Sequence, residues 1–425
     1  MKLPAVSEKK INSRYEDAKE IYASYGVDTE KALKTLSGLK VSMHCWQGDD
    51  VGGFEVNETG LTGGIMATGN YSGRARNADE LRKDAEKAFS LIPGKHRFNI
   101  HAIYLESNGK FIDRDSISPA NYSRWVDWAK DLKIGLDFNP TFFSHPKSSS
   151  GTTLSSPDKS VRNFWIEHGV KAREVAADFA KKLGGVCVNN IWVPDGMKDA
   201  PADRLGPRQR LLESLDEIFK SGINGNVKDA VEGKLFGIGS EEYVVGSNEF
   251  YLAYSITRKK LVCMDMGHYH PTETIHDKLS AVLPFVPELL IHVSRPVRWD
   301  SDHVVILNDD LLNLAKEIVR CNALGRVYLA TDFFDASINR IGAWVIGTRS
   351  LLKALLIALL DPTDTLKKLE LGGRNAEKLA LSEEMKTLPF GNVWDYHCLK
   401  QEVPVGSCWI GEMEKYEKEV LAERK

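Results

Sequence analysis

Four consecutive apolar runs in the second half of the chain carry residues that a strand interior should exclude. DAVEGKLFG holds Glu232 and Lys234 two apart, on one face if the run is a strand. LVCMDMGHYH holds Asp265, His268 and His270; ELLIHVSRPVRWDSDH has His292 inside the apolar run and Asp300 and Asp302 beyond it; RVYLATDFFD carries Asp332 at its end. A charge in such a place costs several kcal/mol unless it is paired or ligates a metal. Singly, each has a bland reading, such as a satisfied core histidine or a solvated turn. Together, Glu232, Asp265, His268, His292, Asp300, Asp302 and Asp332 fall within adjacent strands or just past their C-terminal ends.

Five carboxylates gathered in one pocket stay ionised only if cations neutralise them, and two divalent ions with Lys234 bring the formal sum to zero. A donor set rich in carboxylate, with two imidazoles and no thiolate, favours hard ions, so two divalent ions are expected. Mn²⁺ is the first choice, with Co²⁺, Mg²⁺ or Zn²⁺ as alternatives. Such a pair binds adjacent oxygens of a polyol and polarises a carbonyl. Lys234 is placed to donate to a developing alkoxide, and Asp332 belongs with it among the catalytic candidates. Further strand ends complete the bowl: His44 and Trp46, His101, Phe138 and Asn139, Asn190 and Trp192. Trp46 and Trp192 offer flat apolar faces to a sugar ring, or are plain barrel packing. His101 interrupts an apolar run and is the candidate for proton handling and for contact with substrate.

These residues need a scaffold that brings successive strand ends together. Strand candidates fall at 41–46, 98–105, 134–139, 186–193, 230–236, 261–266, 289–293 and 327–331, and helical periodicity separates them, as at 124–132, 161–183, 208–220, 277–285 and 309–318. Eight strand–helix units over about 300 residues predict an α/β fold, a (β/α)8 TIM barrel at 41–340. N-terminal helices at 7–25 and 29–36 form a segment 1–40. A C-terminal all-helical extension, 341–425, has helices expected at 341–360, 363–369, 376–386 and 412–424, and is expected to make oligomer contacts. The apolar stretch 343–360 is interrupted by Arg349 and Lys353, which reads as a buried helix and not a membrane span.

The segment 48–73 holds eight of the 34 glycines and follows the first strand, at the face where barrel active sites sit, so it reads as a lid or as a flexible loop. With 56 Lys plus Arg against 59 Asp plus Glu, the chain lacks a basic field for nucleic acid, and a small-molecule partner is expected. The six cysteines (Cys45, Cys187, Cys263, Cys321, Cys398, Cys408) show no metal-finger spacing, and the first twenty residues are too charged for a signal-peptide core. A cytoplasmic place and reduced thiols are the expectation.

The layout E-x-K, D-x-x-H, D-x-D and a last-strand Asp resembles the xylose isomerase-like barrels. The runs VSMHCWQGDDVGGFE, NIHAIYLES, NIWVPDGMKD, EGKLFGIG, GSNEFY, GHYHPTE, HVSRPVRWDSDHVV and DFFDASINRI are similar to the L-rhamnose isomerase family. The resemblance implies interconversion of L-rhamnose and L-rhamnulose in L-rhamnose catabolism, with hydrogen moved between C2 and C1 as a hydride or through an enediol. By resemblance, Glu232, Asp265, His292 and Asp332 hold a substrate-orienting metal, and His268, Asp300 and Asp302 a catalytic one, with Asp265 near both. A homotetramer is implied as well. On the residues alone, an isomerase of another aldose, a TIM-barrel metallohydrolase and a non-catalytic binding barrel stay open.

Overall fold

The computed structural model describes residues 6–55, 65–223, 226–298 and 302–424. Eight parallel strands close into a barrel: β1 Lys40–His44, β2 Lys95–His101, β3 Gly135–Asn139, β4 Cys187–Trp192, β5 Val227–Glu232, β6 Leu261–Asp265, β7 Leu289–Val293 and β8 Val327–Thr331. Each strand pairs with its neighbours in sequence, and β8 closes onto β1 through Val41 opposite Leu329 and Met43 opposite Thr331. The expected (β/α)8 barrel is present.

The connecting helices form because their apolar positions recur at helical spacing behind a cap. The helix Asp309–Arg320 shows the rule: Asn308 accepts the N–H of Leu311 at its N-cap, and Leu311, Leu314, Ala315 and Ile318 line the buried stripe. Burial of each large side chain contributes about 1.5–3 kcal/mol. Ala78–Phe89, Ser123–Leu132, Lys159–Leu183, Leu205–Lys220, Asn248–Arg258 and Ile275–Val282 supply the other crossovers. The helix Arg340–Leu359 packs against Asp309–Arg320 and Ala78–Phe89, where the eighth helix of the ring belongs. Its apolar length is thereby buried inside the molecule.

Three local expectations shift. The first strand ends at His44, and Trp46 sits in a following 3-10 turn, Cys45–Gly48. The second strand likewise ends at His101. The fifth stops at Glu232, so Lys234 lies past the ladder, its N–H donating to the carbonyl of Gly246. In the tail, Phe390–Lys400 is an additional helix and the last one is Cys408–Glu419. Glu8–Ser24 packs on Phe390–Lys400, where the Tyr15 and Tyr396 rings stack at 3.7 Å, so the two terminal regions meet.

Inside the barrel, the half nearest the strand N-termini carries a polar layer in which Ser42, Arg97 and the N–H of Val188 all converge on Asp137. Above it, Val188, Ala230, Cys263, Leu290 and Ala330 fill the cross-section. The strand C-termini open into a second polar layer.

Candidate active site

Strand register assembles this layer. Trp192 on β4 lies opposite Glu232 on β5, Asp265 on β6 opposite His292 on β7, and His292 opposite Ala330 on β8, two residues before Asp332. Side chains at matched positions of neighbouring parallel strands point to the same side, so all of them face inward. Glu232, Asp265, His292 and Asp332 each bring one donor atom within 4.8 Å of the others, and Asp265, His268 and Asp302 form a second such group. Asp265 belongs to both. Asp300 lies outside the described residues.

In Glu232 and Asp265 the protein hydrogen-bonds one oxygen and leaves the other facing His292. Glu232 Oε2 accepts from the Asn190 amide at 2.6 Å, while Oε1 accepts no hydrogen bond. Asp265 Oδ1 accepts from the Gly267 N–H at 2.6 Å and the Ser294 hydroxyl at 2.8 Å, while Oδ2 accepts none. His268 donates Nδ1–H to the carbonyl of Gly233 at 2.9 Å, so Nε2 is the nitrogen a metal would take. Neither ring nitrogen of His292 makes a hydrogen bond among the described residues, and its Nδ1 faces Asp332 Oδ2 at 2.9 Å and Glu232 Oε1 at 3.3 Å. Buried polar atoms left bare cost free energy, and a carboxylate or imidazole fixed through one atom with the other aimed at a common point is how metal ligands are oriented. These residues fit a pair of divalent cations.

Two further groupings are less suited to a metal. His44 lies with His292 and Asp332, but its Nδ1 already accepts the Trp46 indole N–H at 2.6 Å. Cys263 lies near Glu232 and His292, yet burial pushes its thiol well above the ordinary range and keeps it protonated.

Electrostatically, neighbouring imidazoles oppose the cost of burying the carboxylates. Burial pushes Glu232 and Asp332 up, but His292 and His268 more than offset this for Glu232, and His44 and His292 for Asp332, so both carboxyls lie below their usual range. Burial pulls His292 down, whereas the Glu232 and Asp332 carboxylates carry it above the ordinary imidazole value. His101 goes the other way: burial, with His44 next, holds it well below 6.5. It is therefore a neutral imidazole near pH 7, with no hydrogen bond to either ring nitrogen among the described residues.

Above the cluster is a cavity of about 380 Å³, the size of small-molecule sites. Glu232, His268, Asp302 and Asp332 line its floor, and His101, Lys234, Asn139, Trp46, Trp192 and Phe334 its walls. Lys234 Nζ lies 4.7 Å from the Trp192 ring centroid, and the lysine is 5% exposed. Trp46 and Trp192 line the cavity and also pack with Phe143, Val51, Ile65 and Phe334. Asp265 and His292 share donor groups with the floor residues, Asn190 holds Glu232, and His44 lies with His292 and Asp332. Phe138, expected in the bowl, instead points outward from β3 against Tyr122 and Phe179, because its neighbours Asp137 and Asn139 take the inward positions.

Phe143, Phe334, Ile65 and Ser294 belong to this neighbourhood without standing out in the sequence. Phe334 and Ser294 lie just past strand ends, which is the available signal; Phe143 and Ile65 lie in loops and give none. His145 pairs with Asp113 at 3.0 Å, and His270 is exposed and bonded to Thr272; neither lines the cavity. The segment 48–73 does reach it, through Ile65, Met66 and Thr68. Its neck is tied by Arg340, which donates to Asp50 and to the carbonyls of Tyr71 and Ser72. Residues 56–64 of that segment lie outside the described residues.

A family model described as L-rhamnose isomerase matches residues 9–424. An L-rhamnose isomerase of Listeria monocytogenes serovar 1/2a is 56% identical over 418 residues, 98% of this chain and 99% of that protein. One from Salmonella agona is 56% identical over 415 residues, 97% and 99% of the two chains. Among solved structures, a D-tagatose 3-epimerase-like protein aligns with a TM-score of 0.45 at 14% identity, over 62% of this chain and 89% of that one. The match along almost the entire sequence agrees with the barrel and its carboxylate–imidazole floor: the chain belongs to the L-rhamnose isomerase family, enzymes that interconvert an aldose and a ketose.

Proposed function

We propose that this chain interconverts L-rhamnose and L-rhamnulose with two divalent ions, Mn²⁺ by preference. Glu232, Asp265, His292 and Asp332 hold one ion; Asp265, His268 and Asp302, joined by Asp300, hold the other. The observation that carries the reading is the pair of donor groups sharing Asp265, with an unbonded oxygen left on both Glu232 and Asp265. When bound, the ions supply Lewis acidity to neighbouring sugar oxygens.

The chain's own residues do the rest. His101, neutral and facing the cavity, takes and returns a proton at the ring oxygen and O1 as the pyranose opens. The Lys234 ammonium donates to O1 as negative charge develops there. The net change is internal: C2 loses its hydrogen and O2 its proton, while C1 and O1 gain one each, so C2 is oxidised and C1 reduced with no outside acceptor. Trp46, Trp192 and Phe334 cover the apolar side of the sugar and keep bulk water from the open chain. The Trp192 indole N–H, with no partner among the described residues, is a donor for a sugar hydroxyl.

A cytoplasmic place is part of the proposal, supported by six cysteines of which none pairs with another. So is a homotetramer, supported by the C-terminal helix Asn375–Glu384, which buries no residue within its own chain and exposes Leu379. Calorimetric titration of Mn²⁺ into metal-free protein tests the site. Two binding events are expected, with Asp265→Asn weakening both and Glu232→Gln mainly one; a single event left unchanged by Asp265→Asn contradicts the shared-ligand reading.

A further inference from the structure

Arg114 begins a short 3-10 turn, Arg114–Ser116, and is 1% exposed, although it lines no wall of the cavity. Its guanidinium forks onto Glu55, Nε at 2.9 Å and Nη2 at 2.6 Å. It also donates to three carbonyls in the segment after β3, those of Thr141 at 2.6 Å, Phe143 at 2.9 Å and Ser144 at 3.2 Å. Glu55 stands on the outgoing arm of the glycine-rich segment, whose backbone hangs on the carbonyl of Ile103 through the N–H groups of Phe54 and Glu55. Gly53 makes that approach possible, because with φ +69° and a would-be Cβ 2.7 Å from Ile103 no other residue fits.

The other end of the tie backs the cavity's tryptophans. The Phe143 ring centroid lies 5.9 Å from Trp46 and 5.6 Å from Trp192. Ser144 next to it takes φ +55°, a conformation that a non-glycine residue holds only when its surroundings enforce it. Behind Arg114, His168 donates Nδ1–H to the Arg114 carbonyl at 2.8 Å and accepts the Thr141 N–H on Nε2 at 2.9 Å. One buried cation therefore joins the glycine-rich arm to the loop whose Phe143 backs the cavity's tryptophans.

We propose that Arg114 is a positioning residue: its fork on Glu55 and its three carbonyl bonds hold the glycine-rich arm against the Phe143–Trp46–Trp192 wall, so that the sugar cavity is formed before substrate arrives. This rests on the cavity being the sugar site. The consequence is quantitative. If the formed cavity falls to a fraction of the population when the tie is cut, apparent affinity falls by that fraction, while the chemistry of a bound molecule is untouched.

The test compares the metal-loaded full chain with Arg114→Met, Arg114→Lys and Glu55→Gln. KM for L-rhamnose is expected to rise roughly tenfold in Arg114→Met and Glu55→Gln with kcat within about threefold, and Arg114→Lys to recover part of the loss. Because the two residues act as one tie, the double variant should be no worse than Arg114→Met. Tryptophan emission, to which Trp46 and Trp192 contribute two of nine indoles, should shift red in the same variants without sugar. If Arg114→Met does not fold, Glu55→Gln, which keeps the carbonyl bonds, decides. Wild-type KM and unshifted emission in folded Glu55→Gln overturn the proposal. A wild-type chain that makes no ketose defeats the isomerase reading instead, and the emission shift then judges the tie alone.

Discussion

Replacing Lys234 by Met removes a charge while keeping most of the side-chain volume. Lys234 sits over the Trp192 ring at 4.7 Å, and a thioether preserves that contact apart from its cation–π component. The lysine is 5% exposed, so no bulk water stands ready to replace its ammonium as a donor. Loss of one preorganised donor to a developing oxyanion in such a site costs about 10²–10³ in kcat, which at 1.36 kcal/mol per decade is about 2.7–4 kcal/mol. Lys234 belongs to neither donor group, so metal stoichiometry should stay at the wild-type value. Steady-state ketose formation from L-rhamnose, with metal content measured on the same samples, reads both. A kcat within tenfold of wild type, or a loss of bound metal parallel to the loss of rate, would refute the assigned role.

His101→Gln keeps a hydrogen-bonding group but removes proton transfer, and should lower kcat on the pyranose by about 10²-fold with metal affinity unchanged, as followed by ketose assay and calorimetry. Arg424→Met should destabilise the fold by about 3–5 kcal/mol in urea unfolding at fixed protein concentration, because it leaves the fully buried Asp84 carboxylate without the guanidinium that grips it at 2.6 and 2.8 Å. Burial lifts Asp49 to about 7, against hydrogen bonds from Tyr104 and Gly53 that pull it down. Its folded form thus binds a proton more tightly than the unfolded chain, and its contribution to stability, full below about pH 4, is lost as pH rises through 7. Asp49→Asn, whose amide can donate to the Tyr104 oxygen, should melt with less pH dependence between pH 5 and 8 and above wild type at pH 8; equal slopes would count against this assignment.

The barrel was legible because each strand announces itself as a short apolar run bounded by a helix of the other period. The metal-site candidates were legible because a charge within or ending such a run is too costly to keep unless it is paired or ligates a cation. Glu232, Asp265, His292 and Asp332 were readable one strand at a time; only the register of β5 to β8 shows that they meet. What sequence hid was tertiary. Lys234 looked like a strand residue because Glu-x-Lys alternates correctly, whereas the ladder ends at Glu232, just before Gly233, where a Cβ would strike Asn248. Ile65 reaches the cavity and Phe143 backs its tryptophans from loops, where no periodicity marks an inward side chain. Arg114 read as an ordinary charged residue, since nothing local signals that Glu55 and three carbonyls will surround it.

Whether the floor of this barrel is a two-metal sugar site comes down to a reconstitution experiment. The protein is stripped with a chelator, Mn²⁺, Co²⁺, Mg²⁺ or Zn²⁺ is restored singly, and L-rhamnulose is followed from L-rhamnose. No ketose is expected from the stripped chain, and turnover should recover as two ions per chain are taken up. Undiminished turnover in the stripped chain, or stoichiometric uptake of metal with no ketose from any aldose, would contradict a two-metal isomerase site.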